Sequence, residues 1–138
     1  VLMSIGADKR IGKKYLNYGF GFGGPCFPRD NRAFASYASK VGVSHNIGEV
    51  TDAFNEEHAA FLKNYFINKN KKKLPFLFNY LTYKPNTDIL TESQQYRLCL
   101  DLLNEGYIVY SGDSADGLSV DPRIKFEQPN EDVFVIKL

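Results

Sequence analysis

The sequence predicts an α/β chain: a helical first part built around one long helix, then a small parallel αβ lobe. Three observations predict it. Apolar residues recur at helical spacing in two runs before residue 70. The texture changes at Lys73, after which Leu74–Tyr83 is an apolar and aromatic run that reads as a buried strand. A helical run and another short apolar run follow at βαβ spacing, which makes the two strands parallel. The expected division is 1–72 and 73–138.

Taken in order, Val1–Gly6 reads as the end of a helix, with Gly6 as its stop, so the chain is expected to be a fragment of something that begins earlier. Residues 7–29 have no regular period and are rich in glycine and proline, which predicts a long functional loop. Asp30 is the expected N-cap of a helix carrying Phe34, Tyr37, Ala38 and Val41 on one face, closed by Gly42. A second helix is expected over about 46–68, with Ile47, Val50, Phe54, Phe61 and Tyr65 on one face and lysines at its C-terminal end. A helix this long in a small protein predicts pairing with a second copy. After the Leu74–Tyr83 strand and a loop over 84–90, Thr91 and Gln94 make a plausible capping box for a helix through Asn104. Its apolar face is Tyr96, Leu98, Cys99, Leu102 and Leu103, and Gly106 ends it. Tyr107–Tyr110 is the second strand and Val133–Leu138 a third.

Composition bounds the function. The chain has 138 residues, 43% hydrophobic and 24% charged, an ordinary globular balance. A net charge of +1 offers no electrostatic case for nucleic acid or an anionic membrane, and Lys69–Lys73 is short enough to be a solvated turn. No apolar run reaches the length of a membrane span, and no signal peptide is present. Two distant cysteines without secretion signals predict reduced thiols and a cytoplasmic location. His45 and His58 have no third ligand near them in sequence, and Asp113, Asp116 and Gly117 lack the spacing of a calcium loop, so no metal site is expected.

The chemistry concentrates between Arg10 and Asp30, in RIGKKYLNYGFGFGGPCFPRD. Glycines admit close approach of backbone N–H groups to a ligand, aromatics suit a flat base or sugar face, and a thiol ends the loop. A cysteine in front of a helix N-terminus is placed for thiolate chemistry, although a lone cysteine is most often a small buried hydrophobe. Gly19, Gly21 and Gly24 formally match G-x-G-x-x-G, but no strand precedes them, Pro25 interrupts the turn and no acidic ribose partner follows, which excludes a dinucleotide fingerprint.

The stretch resembles the nucleotide-sugar dehydrogenases, and within them the UDP-glucose 6-dehydrogenase branch. The family signature R-I-G-x-x-F-L-x-x-x-x-G-F-G-G-x-C-F-x-K-D is met at Arg10-Ile11-Gly12, Tyr15-Leu16, Gly21-Phe22-Gly23-Gly24 and Cys26-Phe27-Pro28-Arg29-Asp30. A later block, Leu81–Asp88 with Glu92-Ser93, is similar to the family's G-[LF]-x-[FY]-K-x-x-T-D-x-x-R-E-S. The resemblance implies a trimmed, Rossmann-like second lobe. It implies oxidation of UDP-glucose to UDP-glucuronate with NAD through a thioester on Cys26, with Asp30 acting on the hydrolytic water. It implies substrate contacts at Arg10, Tyr15, Leu16, Asn17, Phe20, Gly21, Phe22, Gly23 and Lys84, and a cofactor contact at Arg29, where the family usually has lysine. Arg10 would reach the substrate of a neighbouring subunit, with a surface ion pair as the plain alternative. The family's N-terminal Rossmann domain, which holds NAD, is expected in cis or in trans outside these residues, so the isolated chain is expected to be inactive. Thr91 stands where the family has a cofactor-contacting arginine, and Tyr80 where a glycine ends the strand. Two alternatives stay open: a non-catalytic UDP-sugar-binding or dimerisation module, and a related substrate such as a UDP-N-acetyl sugar or GDP-mannose.

Overall fold

In a computed structural model the chain is described at residues 1–14, 16, 18–44, 46–113 and 117–138. The elements are α1 (Leu2–Ile5), α2 (Phe27–Lys40), α3 (Ile47–Lys69), β1 (Phe76–Phe78), α4 (Gln94–Asn104), β2 (Val109–Ser111) and β3 (Phe134–Val135). The α/β class is as expected, and the three strands form one parallel sheet in the order β2-β1-β3.

Among the described residues between α1 and α2 there is no helix or strand, so the expected loop over 7–29 is found only as far as residue 26. Gly6 ends α1 in an ordinary right-handed conformation (φ −71°), so its conformational freedom is not what selects it. It is buried, and a Cβ there would press on the Gly12 carbonyl and the Lys13 side chain. Helix α2 begins at Phe27, four residues before the start that a cap at Asp30 would give, and Asp30 is not its cap. Cys26 is the N-cap residue, and the Asp30 N–H already donates to the Cys26 carbonyl at 2.9 Å. Pro28 in the first turn has its φ preset for a helix and needs no donor there, which lets the helix start earlier.

Only Ala38 of the expected α2 face is buried; Phe34, Tyr37 and Val41 are exposed, and Pro28 and Ala35 are buried in their place. The reason lies in the α2–α3 crossing. Gly48 sits so close to Ala35 that a Cβ on it would lie 3.0 Å from the alanine methyl, and the Gly48 carbonyl accepts from Asn31 Nδ2 at 2.9 Å. Small residues make this seam, and the large ones face solvent. Asn46 caps α3 by accepting from the Glu49 N–H at 3.0 Å, while its Nδ2 donates to Ser39 Oγ at 3.3 Å.

Helix α3 has two apolar rows. Gly48, Asn55, Leu62 and Phe66 are buried; Ile47, Val50, Phe54, Phe61 and Tyr65, the row read from the sequence, are exposed. Leu62 and Phe66 join Phe76, Phe78, Leu81, Leu98, Cys99, Leu102, Val109, Ile124 and Ile136 in one core. The core therefore spans residues 72 and 73, and the second half of α3 packs on the sheet side.

The expected ten-residue strand pairs over Phe76–Phe78 alone. Beyond it the backbone is satisfied by side chains instead of a ladder: the Leu81 N–H donates to Asp113 Oδ2 at 2.7 Å, and the Leu81 carbonyl accepts from the Ser93 hydroxyl. Ser93 also caps α4, accepting from the Tyr96 N–H at 3.2 Å, which displaces the expected Thr91 cap. Glu92, just before it, takes a left-handed φ of 54° to bring Ser93 into place.

Candidate functional site

Residues 18–26 run between α3, the turn over 91–93 and β1. Their glycines meet protein at almost every step. A Cβ at Gly21 would collide with Asn55 Oδ1, and one at Gly23 with the Glu92 carbonyl. Gly24 (φ +85°) faces the Tyr83 ring, and its N–H donates to the Thr91 carbonyl at 3.1 Å. Between them the Phe22 carbonyl accepts from Asn55 Nδ2 at 3.0 Å and from Gln94 Nε2 at 3.3 Å. The Gly19 carbonyl lies 3.0 Å from His58 Nε2. The sequence offered ligand approach as the reason for these glycines; the structure adds a second, the close seating of the loop on its neighbours.

Two of the clefts along this loop are lined by expected site residues. The larger, about 460 Å³, is lined by Tyr18, Gly19, Phe20, Gly21, Tyr80 and Tyr83 among others, at the C-terminal end of β1. In parallel sheets that end is where ligands bind. Lys84 is exposed, and its ammonium lies 5.2 Å from the centre of the Tyr83 ring, at the same end. The smaller cleft, about 300 Å³, is lined by Cys26, Phe27, Asp30, Asn31 and Phe34. Cys26 and Asp30 are one helical turn apart and open into the same space. The Phe22 ring, in mid-loop, lies 4.6 Å from that of Phe27, the first residue of α2.

The two cysteines differ sharply. Cys26 is exposed; Cys99 is buried in the core, where desolvation pushes its thiol up to about 12. Asp30 accepts from Arg29 Nε at 2.8 Å, and this bond holds its carboxyl below the usual range and the guanidinium above its own. Asp30 is therefore an anion whose proton affinity Arg29 lowers. Arg10 pairs with Asp8 at 2.7 Å, the plain surface ion pair. Leu16 and Phe20 are partly buried, and Phe20 packs on the core. Tyr15, Asn17, His45 and Asp116 lie outside the described residues.

A dinucleotide does not fit the glycine loop. Among the described residues no strand leads into Gly19, the next helix opens at Phe27, and the Gly24 N–H is already committed to Thr91. Arg29, beside Cys26, is the one expected cofactor contact. Among the described residues no group of three His, Cys, Asp or Glu could hold a metal ion, and no helix is long and apolar enough to cross a membrane.

Sequence reasoning missed Asn55 and Arg32, read Gln94 only as a capping residue and considered His58 only as a metal ligand. Arg32 Nε lies 3.1 Å from Asp52 and its Nη1 lies 2.8 Å from Glu92, tying α2 to α3 and to the turn that seats Gly23.

Residues 1–57 match the central domain of the UDP-glucose/GDP-mannose dehydrogenase family. The UDP-glucose 6-dehydrogenase of Pseudomonas aeruginosa is 32% identical over 127 residues, 89% of this chain and 28% of that protein. That of Rickettsia bellii is 33% identical over 112 residues, 79% of this chain and 26% of that protein. Among solved structures, the UDP-glucose dehydrogenase of Pyrobaculum islandicum superposes with a TM-score of 0.65 at 27% identity, over 87% of this chain and 31% of its own. The GDP-mannose dehydrogenase of Pseudomonas aeruginosa gives 0.65 at 26% identity, over 80% of this chain and 26% of its own. The chain spans about a quarter of the length of the curated relatives it matches.

Proposed function

We propose, from the match of residues 1–57 to the central domain of the UDP-glucose/GDP-mannose dehydrogenase family, that this chain is the substrate-side part of an enzyme oxidising UDP-glucose to UDP-glucuronate. The observation that carries this reading is the loop over 18–26, which has a nucleotide-sized aromatic cleft at one end and an exposed thiol with a carboxylate at the other. Tyr18, Phe20 and Tyr83 offer flat faces for a base or sugar. Lys84 offers a cation for the diphosphate, and Arg10 for a substrate held by a neighbouring copy. Tyr15, Leu16, Asn17, Gly21, Phe22 and Gly23 complete the contacts.

Two NAD molecules, bound in turn, would each take up one hydride; they would be held mainly by a cofactor domain outside these residues, in cis or in trans, with Arg29 at its edge. The work of this chain's residues is the covalent capture between those transfers. The Cys26 sulfur attacks the carbonyl carbon of the C6 aldehyde, the oxygen takes a proton, and a thiohemiacetal forms. At the thioester stage Asp30, an anion beside Cys26, orients the attacking water. Hydrolysis releases the acid and returns the thiol. The polypeptide of residues 1–138 alone binds the sugar nucleotide and forms no NADH. Free thiols at both cysteines suit a reducing compartment, the cytoplasm.

A second reading, compatible with the first, is a homodimer through the long helix. Phe54, Val50 and Ile47 on α3 and Tyr37 and Phe34 on α2 are all more than half exposed, a cost in water that a partner copy removes. Titration calorimetry with UDP-glucose, GDP-mannose and NAD tests the main reading. It predicts heat for UDP-glucose exceeding that for GDP-mannose and none for NAD; equal or absent heat for both sugars would sink it.

A further inference from the structure

We propose that Asn55, together with Gln94, is the positioning device of the sugar loop, setting the peptide between Phe22 and Gly23 so that the Gly23 N–H donates to an oxygen of the bound sugar nucleotide. This rests on the reading above and deepens it. Asn55 occupies the buried row of α3, between Gly48 and Leu62, where an apolar side chain would be the cheaper choice. Gln94, the first residue of α4, is equally buried. Both amides donate to one acceptor, the Phe22 carbonyl, at 3.0 Å and 3.3 Å, and a carbonyl has two lone pairs to receive them. They come from elements far apart in sequence, so the loop is seated only when α3 and α4 are both docked.

The seat fixes a direction. In a trans peptide the N–H points opposite to the C=O of the same plane. The Phe22 carbonyl is turned toward Asn55 and Gln94, so the Gly23 N–H is turned away from them. Gly23 is partly exposed, and its absent side chain is required by the Glu92 carbonyl packed against it. A partly exposed, Cβ-free residue whose N–H is turned away from both amides suits an anionic or hydroxyl oxygen of a nucleoside diphosphate sugar.

The test uses Asn55→Asp, which keeps the shape but sets a carboxylate oxygen against the Phe22 carbonyl, and the milder Gln94→Met, which removes one donor. Amide exchange and chemical shifts are read by NMR, alongside the UDP-glucose dissociation constant. Losing a hydrogen bond of this kind predicts weakening of roughly tenfold for Asn55→Asp and about threefold for Gln94→Met. Exchange at Gly23 and Gly24 should rise in both, while Leu98 and Leu102 stay protected. The Gly23 amide should shift on UDP-glucose addition in the parent chain and lose that shift in the variants, which a purely structural role would not produce. Unchanged loop exchange in folded Gln94→Met, or an unchanged dissociation constant with faster exchange, overturns the proposal. If the parent chain itself fails to bind UDP-glucose, the substrate reading falls and the Gly23 contact falls with it, while loop exchange still decides whether the two amides seat the loop.

Discussion

Replacing Gly24 by alanine should cost far more than replacing Gly42, although both take a positive φ. Gly42 (φ +77°) has nothing within 4 Å of an added Cβ, whereas at Gly24 (φ +85°) that carbon would lie 2.6 Å and 2.7 Å from two carbons of the Tyr83 ring. The left-handed backbone costs an L-residue about 1–2 kcal/mol, partly offset by about 0.4–1 kcal/mol of lost unfolded-state freedom. Gly42→Ala should therefore destabilise by about 1 kcal/mol. Gly24→Ala adds overpacking of about 1–3 kcal/mol. The Tyr83 backbone is held by its N–H to the Ile89 carbonyl at 3.1 Å, so the ring must rotate away to relieve the overlap. For a chain of this size each kcal/mol moves the melting temperature by about 3–4 °C. Thermal unfolding of both variants should thus separate them by at least about 3 °C, with Gly24→Ala the lower. Equal melting temperatures would show that the loop is not seated against Tyr83, and the geometry given for the whole 18–26 segment would have to be abandoned.

Two further outcomes follow from the pairing of charges and from the exposed helix row. Glu56 and Arg97 join α3 to α4 at 2.6 Å, and the hydrogen bond from Arg97 holds the glutamate below its usual 4.5. A depressed carboxylate contributes stability that is present above that usual value and is lost as pH falls through the lower folded one. Both side chains are more than two-fifths exposed, so screening limits the contribution to below about 1 kcal/mol; urea midpoints of Glu56→Gln should show a shallower acid limb than the parent, and an identical limb would refute the pairing. Phe54 is 66% exposed, so Phe54→Lys should leave the fold intact while shifting sedimentation from dimer to monomer; a parent chain that already sediments at 15.7 kDa would remove the homodimer.

The helices were legible from periodicity because each carries a repeating apolar row, and α3 and α4 fall within a few residues of where the pattern puts them. What periodicity could not say is which row faces inward. On α2 and α3 the large apolar residues are outside, since the crossing at Gly48 and Ala35 admits only small ones. The caps moved for local reasons: Pro28 allows an earlier start, and Ser93 outcompetes Thr91 because its hydroxyl also serves the Leu81 carbonyl. Of the site, the cysteine, the aspartate and the glycine loop could be picked out by eye, since their spacing is a motif. Asn55 and Gln94 could not, because their partner is a backbone carbonyl in the loop, which leaves no trace in residue identity.

The most direct test of the account is the alkylation of the two cysteines by iodoacetamide, followed by mass spectrometry with and without UDP-glucose. Cys26 is exposed at the cleft and Cys99 is buried with its thiol pushed up to about 12. Cys26 should be modified, Cys99 spared, and saturating UDP-glucose should slow the reaction at Cys26. A rate at Cys26 that UDP-glucose leaves unchanged would contradict the placement of the sugar nucleotide beside this thiol.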